Sequence, residues 1–292
     1  MMRTFFAFAL LFLLAAKSNA QQNASPWETV APPGSEVYTD LKTALKDAGV
    51  CYRLDLTGQD LVTDKKQLSK IPKLTNVMAL KIGKNNLTEF PSVFLSLRGL
   101  VYFQSSGNPL HTISDSLGML EQLRYIEFYG TNFDTLPMGI AGVSRLQTLL
   151  IASNKDTLTI PDGFSVLRSS LTELRIYSTK LDTLPASFAT MKKLQKLVLY
   201  KCGLNYLPSP VKHLPAIKEL WLDSNNISIL PRSISMMQSL TYLSLKGNKL
   251  KHIPSTICFL QNLAFLDLRG NPIDPYEVNC LQALLPNCKI LF

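Results

Sequence analysis

The sequence predicts an α/β solenoid, a curved stack of similar units joined by one parallel β-sheet. A pattern of the form LxxLxLxxNxL recurs about every 23 residues through most of the chain. Within it, the Leu-x-Leu pair alternates as a half-buried strand does. A Leu-Pro or Ile-Pro pair follows in most units, and proline favours an extended or tight-turn return path. We therefore expect the sheet on the concave face and short turns or 3-10 segments on the convex face.

The pattern extends over ten units between residues 50 and 275. The units start at Cys51, Val77, Leu100, Leu123, Leu146, Leu171, Leu194, Ile217, Leu240 and Leu263. The chain resembles the leucine-rich-repeat family, in its 23-residue class with Leu-Pro, and is similar to secreted bacterial members. The resemblance implies a horseshoe-shaped leucine-rich-repeat solenoid that acts as a binding scaffold and not as an enzyme.

A polar residue near the end of each strand pattern is expected to turn the chain and to bond backbone groups of adjacent units. Six units place asparagine there, namely Asn85, Asn108, Asn154, Asn225, Asn248 and Asn271. The other four units carry Gln59, Thr131, Thr179 and Cys202. Glutamine and threonine keep the hydrogen-bonding capacity, and cysteine keeps a weak form of it.

The N-terminal residues divide into three predicted segments. Residues 1–20 have the form of a secretory signal, with Arg3, an apolar run over 5–16 and Ser18-Asn19-Ala20 at the cut. Residues 21–35 are expected to form a flexible leader. Residues 36–49 are expected to form a capping helix that Ser35 begins, since Val37, Leu41, Leu45 and Ala48 share one helical face.

Residues 276–292 are expected to close the other end, with a helix over 276–285 followed by a strand over 288–292. The register makes Cys51 and Cys202 core residues among the five cysteines. Export permits disulfides, and the sequence leaves open whether Cys280 and Cys288 pair.

The sequence contains no set of residues typical of catalysis. His111, His213 and His252 lie in different units, and no nucleophile, phosphate-loop or zinc motif occurs. We therefore predict no enzyme activity, no cofactor and no metal.

Cleavage of the predicted signal over residues 1–20 would remove Arg3 and Lys17 and lower the formal net charge of the chain by two, from +9 to +7. No run of five like charges occurs, so we expect a solvated basic surface and no nucleic-acid partner.

The apolar run near the N-terminus is shorter than the roughly 20 residues that span a bilayer, and no later segment is as apolar. The expected product is a monomer without a membrane span. It is secreted, extracellular or held in the cell envelope, in the periplasm or at the surface if the source is bacterial.

Aromatic residues are distributed unevenly over the two faces of the predicted sheet. Seven of the ten tyrosines and Trp221 fall on outward positions, whereas the consensus phenylalanines fall on inward ones. The outward residues include a predicted binding patch of aromatic, aliphatic and charged side chains. It comprises Tyr125, Tyr129, Leu150, Arg175, Tyr177, Lys196, Val198, Tyr200, Trp221 and Tyr242.

Two functions fit this predicted patch. A compact aromatic and aliphatic surface with interspersed charge is typical of a protein interface, as in an adhesin, a receptor-like module or an inhibitor. The alternative is carbohydrate or cell-wall-polymer binding, in which sugar rings stack on a single file of aromatic rings. The compact arrangement favours a protein ligand.

Overall fold

A computed structural model describes residues 25–63 and 65–292. It contains one sheet of twelve parallel strands, each hydrogen-bonded to the next in chain order. The strands are β1 Val37–Tyr38, β2 Arg53–Asp55, β3 Ala79–Lys81, β4 Tyr102–Ser106, β5 Tyr125–Tyr129, β6 Thr148–Ala152, β7 Glu173–Tyr177, β8 Lys196–Tyr200, β9 Glu219–Trp221, β10 Tyr242–Ser244, β11 Phe265–Asp267 and β12 Lys289–Leu291. The ten predicted units supply β2 to β11, and this confirms the solenoid architecture.

Short helical segments form the return path of most units. The 3-10 segments are Ile71–Lys73, Ser92–Ser96, Asp115–Met119, Asp162–Ser169, Ala186–Thr190, Ser209–His213, Arg232–Met236 and Ser255–Phe259. The α-helices are α1 Pro26–Thr29, α2 Leu41–Lys46, α3 Lys65–Leu68, α4 Met138–Ala141 and α5 Pro275–Leu284. Proline stands directly before most of these 3-10 segments, where its fixed φ favours the extended residue that precedes a turn.

One continuous apolar core extends from Tyr38 to Cys288 between the sheet and the return segments. The consensus leucines of the strands fill it together with Phe94, Phe103 and Phe128, all of which are fully buried. Cys51 and Cys202 are also fully buried, as the register predicts. Burial raises the pKa of both thiols to about 12.

The asparagine position closes the turns as expected in nine units, whereas Gln59 of the first unit is exposed and does not take this role. The Asn225 side chain accepts hydrogen bonds from the backbone N–H groups of Cys202 and Leu204 and donates to the carbonyls of Leu199 and Leu222. Cys202 occupies the same position one unit earlier, and its thiol donates to the Ile176 carbonyl at 3.4 Å. The hydrogen bonds made at this position therefore satisfy backbone groups that the stacked repeat units would otherwise bury without a partner.

The prediction for the N-terminal end is wrong in two respects. The expected helix over 36–49 is reduced to α2, because Val37 and Tyr38 pair with β2 as a strand. Asp40 begins this helix instead of Ser35, and its carboxylate accepts from the Thr43 N–H at 2.8 Å. The second error concerns the leader over 21–35, whose residues from Ser25 onward pack on the sheet as described below. Residues 1–24, including the predicted signal, lie outside the described residues.

At the C-terminal end, α5 and β12 occupy the predicted helix and strand positions. None of the five cysteines, all of which are described, forms a disulfide in the structure, and Cys280 is exposed while Cys288 is buried. No helix within residues 25–63 or 65–292 combines the length and the hydropathy needed to cross a bilayer.

Candidate functional site

The outward surface of the sheet, here called the strand face, carries the candidate site. Its side chains alternate with the core leucines along each strand, and neighbouring strands are in register. Equivalent positions of successive units therefore lie side by side. The central column contains Leu150, Arg175, Val198 and Trp221 as consecutive neighbours, as predicted.

Two aliphatic members of the predicted patch are not exposed. Leu150 retains 6% and Val198 retains 4% of their accessible surface, so the expectation that they form exposed apolar surface is wrong. In register, Leu150 lies between Glu127 and Arg175, and Val198 lies between Arg175 and Trp221. The larger side chains on both sides cover Leu150 and Val198. These two residues therefore support their neighbours but are not accessible to a ligand.

A network of charged side chains crosses β7, β8 and β9. Arg175 Nε donates to Glu173 Oε1 at 2.7 Å, and Lys196 Nζ lies 3.8 Å from the same oxygen. Lys196 Nζ also lies 2.8 Å from Glu219 Oε2, which accepts from the Trp221 indole N–H at 3.2 Å. Burial alone would lower the pKa of Arg175, but the Glu173 carboxylate outweighs it and raises the pKa. The network fixes the long side chains of the patch in defined positions.

Aromatic rings continue this network toward the C-terminal end. The rings of Trp221 and Tyr242 stack with centroids 4.2 Å apart, and those of Tyr242 and Phe265 stack at 4.6 Å. Tyr177 and Tyr200 are neighbours as predicted, with centroids 6.1 Å apart at an angle of 51°. All five rings are partly exposed. These residues, together with Glu173, Arg175, Lys196 and Glu219, form the open patch.

A buried acidic pair lies beside the stacked rings. Asp223 and Asp267 each retain 3% of their accessible surface. Asp223 accepts hydrogen bonds from the Ser244 hydroxyl and, at 3.1 Å, from the Lys246 N–H, and Asp267 pairs with Arg269. Burial, aided by the charge of Asp267, raises the pKa of Asp223 to about 6 against the opposing effect of the Ser244 hydrogen bond.

The remaining two predicted residues, Tyr125 and Tyr129, lie on β5 at the other side of the patch. The hydroxyl of Tyr129 donates to Glu127 Oε2 at 3.2 Å, and the hydroxyl of Tyr102 donates to the same oxygen at 2.8 Å. Tyr102 is outward in register, but only 1% of its surface is accessible. Burial, with the Glu127 carboxylate, raises the pKa of both tyrosines.

Residues 25–31, here called the strap, account for the burial of Tyr102. They lie on the strand face and not away from it, so the expectation of a flexible leader is wrong for this segment. Trp27 packs edge-on against Tyr102 with ring centroids 5.8 Å apart, and Ala79 completes their small apolar cluster. Tyr125 packs against this cluster. The strand face is therefore divided into a part covered by the strap, near β2 to β5, and the open patch over β7 to β11.

Sequence reasoning missed the strap, the two glutamates of the network and the role of Phe265 in the ring stack. A tryptophan in a segment expected to be flexible was the available signal for the strap, since tryptophan is usually well buried. The described residues contain no group of three side chains from His, Cys, Asp and Glu that is arranged to hold a metal ion.

Known proteins share both the repeat and the fold. Residues 215–273 match the family described as "Leucine rich repeat". No curated protein sequence matches the chain. The chain is similar in structure to a leucine-rich-repeat protein of Leptospira interrogans, with 21% identity, a TM-score of 0.50 and coverage of 88% of this chain and 100% of that one.

Two further solved structures are similar. An internalin of Listeria monocytogenes has 20% identity and a TM-score of 0.55, over 80% of this chain and 73% of that one. The leucine-rich-repeat domain of a type III effector has 21% identity and a TM-score of 0.58, over 86% of this chain and 88% of that one. At these identities the likeness describes the fold. Together with the family match over residues 215–273, it shows that the chain has a leucine-rich-repeat fold.

Proposed function

We propose that the protein is an exported scaffold that binds a partner protein through the open patch. The observation that carries this proposal is the continuous set of partly exposed aromatic and charged side chains from Arg175 to Phe265. Tyrosine, tryptophan and arginine contribute most to binding energy in protein interfaces. The ion pairs hold these side chains in place before binding, which reduces the entropy lost on association.

The ring geometry favours a protein over a carbohydrate. Tyr242 has both faces covered, by Trp221 on one side and by Phe265 on the other. One face of Trp221 is therefore taken by Tyr242, and the Lys196 ammonium lies 5.6 Å from its ring centroid. The central ring of the three thus offers an edge and not a free face, whereas a sugar ring needs an aromatic face for stacking.

The proposed location outside the cytoplasm is supported by the sequence of residues 1–20 alone. Arg3, the apolar run over 5–16 and the small residues before Gln21 have the order of a cleaved export signal. Expression of the full chain in a secreting host, followed by N-terminal sequencing, is expected to give a product that begins at Gln21. A product that retains Met1 inside the cell would contradict export.

Binding through the open patch is tested with two triple variants. The first combines Tyr177→Ala, Tyr200→Ala and Trp221→Ala. The control combines Tyr206→Ala, Ile229→Ala and Tyr276→Ala, which lie off the strand face and are 63%, 72% and 76% exposed. Both variants and the parent are first checked by circular dichroism for the same fold.

Each immobilised protein is then exposed to surface extracts of the producing organism and of its host, and to a glycan array. We expect the parent and the control to capture the same protein, and the patch variant to lose it. Equal capture by all three proteins would contradict the proposal. Glycan binding that only the patch variant loses would replace the protein ligand with a carbohydrate.

A further inference from the structure

The strap contacts the strand face through one deeply seated side chain. Trp27 retains 9% of its accessible surface, although it lies in a helix of only four residues. Its ring packs against that of Tyr102 at an angle of 62°, and the ammonium of Lys81 lies 4.0 Å from the Trp27 ring centroid. The small side chain of Ala79 joins the same cluster. The first units thus form a seat for one indole ring, with a cation above it.

The polar contacts of the seat are incomplete. Arg53 Nη2 donates to the backbone carbonyl of Glu28 at 2.9 Å. Nε of the same guanidinium is the one buried side-chain nitrogen or oxygen without a hydrogen-bond partner among the described residues. A guanidinium binds a carboxylate through two parallel N–H groups, and one carbonyl oxygen cannot replace both acceptors. Within the described residues, the seat therefore has one N–H donor without an acceptor, beside a donor that already bonds the strap.

The strap packs on the strand face but lies outside the main apolar core of the solenoid. Trp27, Ala79 and Tyr102 form their own cluster, and none of the three belongs to the main core. Ser25 begins α1 by accepting the Trp27 N–H at 3.3 Å, so the segment supplies its own helix cap. Pro32, Pro33 and Gly34 connect it to β1, and Gly34 has a φ of +76°. The strap can leave without opening any strand pair, because the backbone hydrogen bonds of β2 to β5 are made among these strands and the strap is bonded to them only through the Arg53 side chain.

We propose that the strand face between β2 and β5 is a second binding groove, which accepts a partner segment that carries an indole followed by a carboxylate, and that the strap is its resident competitor. The strap supplies the indole in Trp27 but meets Arg53 only with the backbone carbonyl of Glu28, and the groove complements an indole and an anion with Lys81, Tyr102 and Arg53. A partner carboxylate would bond both Nε and Nη2 of Arg53, which the strap leaves half used. This groove does not depend on a ligand at the open patch.

The groove is tested with the full chain carrying Trp27→Ala and a fluorescein-labelled peptide of residues 25–35. Anisotropy is expected to show binding to the variant that is at least about ten times tighter than binding to the parent, whose groove is occupied. A peptide with alanine at the tryptophan is expected not to bind. Circular dichroism and thermal unfolding confirm that the variant is folded. A milder variant, Trp27→Phe, is expected to bind the peptide with intermediate affinity.

A matched pair of substitutions in the Trp27→Ala chain separates the specific contribution of Lys81 to peptide binding from the effect of losing one positive charge. Lys81→Met is expected to weaken peptide binding several-fold, because Lys81 lies over the indole. Lys84→Met removes an exposed charge from the same unit and is expected to leave the affinity unchanged. Three results would overturn the proposal. The peptide could bind the parent and the Trp27→Ala chain equally, or it could bind neither of the two folded Trp27 variants. The third is an equal effect of Lys81→Met and Lys84→Met on the affinity.

Discussion

The two parts of the strand face have the same arrangement of parallel strands, but their outward side chains form different surfaces. Over β2 to β5, small and cationic outward residues such as Ala79, Arg53 and Lys81 leave room that the strap fills. Over β7 to β11, larger side chains support one another through ion pairs and stacked rings, and no described segment covers them. The comparison shows that the repeat determines where side chains point, while residues outside the consensus determine what each region binds.

The first prediction tests whether the scaffold is equivalent in both regions. Asn85 donates to the carbonyls of Leu56 and Gly83 below the covered part, and Asn225 donates to those of Leu199 and Asp223 below the open patch. Alanine at either position leaves several buried backbone groups without partners. We expect each variant to lose about 3 kcal/mol or more of unfolding free energy in urea titrations. A loss at only one of the two positions would contradict an equivalent scaffold.

The second prediction concerns Glu127, which joins the two regions. Its carboxylate accepts from the buried Tyr102 hydroxyl beneath the strap and from the Tyr129 hydroxyl. Glu127→Ala leaves the Tyr102 hydroxyl without this acceptor and is expected to cost about 2 kcal/mol. Glu127→Gln retains an acceptor oxygen and is expected to cost less than half as much by urea denaturation. Equal losses for alanine and glutamine would show that the hydrogen bonds are not the reason.

The third prediction uses the acidic pair, which lies only beneath the open patch. The pKa of Asp223 is raised to about 6 by burial, from an ordinary 3.8. The folded state therefore binds this proton more tightly than the unfolded chain. The resulting stability is complete below about pH 4 and is lost as the pH rises through 6.

Asp223→Asn removes this titration and keeps an acceptor for Ser244. We expect the variant to be more stable than the parent by about 1–2 kcal/mol at pH 8 and equal to it near pH 4. The difference between the two thermal unfolding midpoints is measured across this range. A difference that does not vary with pH would contradict the assignment.

The smallest expected change in global stability follows Trp27→Ala. Because Trp27 packs outside the main core, its removal should release the strap locally and lower the unfolding free energy by only about 1.4 kcal/mol, the equivalent of the tenfold competition expected above. Hydroxyl-radical footprinting should show a several-fold rise in Tyr102 oxidation and no change at Tyr177 or Tyr200. A large loss of global stability would instead mean that the strap is part of the folding core.

The sequence predicts most of this architecture because each repeat unit contains, within its own residues, the pattern that specifies its strand. Each Leu-x-Leu pair specifies its own strand, so ten strands and the inward phenylalanines follow from the pattern. The stretch around Val37 shows where this reasoning fails. Its apolar spacing suits a helix, but the free edge of β2 offers strand pairing that a reading of local sequence does not include.

The candidate site is less predictable, because exposure depends on neighbours in other units. Outward positions correctly predict that Tyr177, Tyr200 and Trp221 are partly exposed, but burial of Leu150 and Val198 depends on the size of the side chains beside them. The strap contacts residues 25 or more positions away in the sequence, as in Glu28 with Arg53 and Trp27 with Lys81, and no periodicity reveals these contacts.

The central claim is that the open patch, and not the covered part, contacts the partner protein when the strap is in place. Lys84 and Lys201 are a matched pair for testing it, since both are exposed and both have a φ of +52° just beyond their strands. A photo-crosslinking residue is placed at one position or the other, and the captured partner is added. We predict an adduct from position 201 and none from position 84, whereas equal adducts, or an adduct from position 84 alone, would contradict the account.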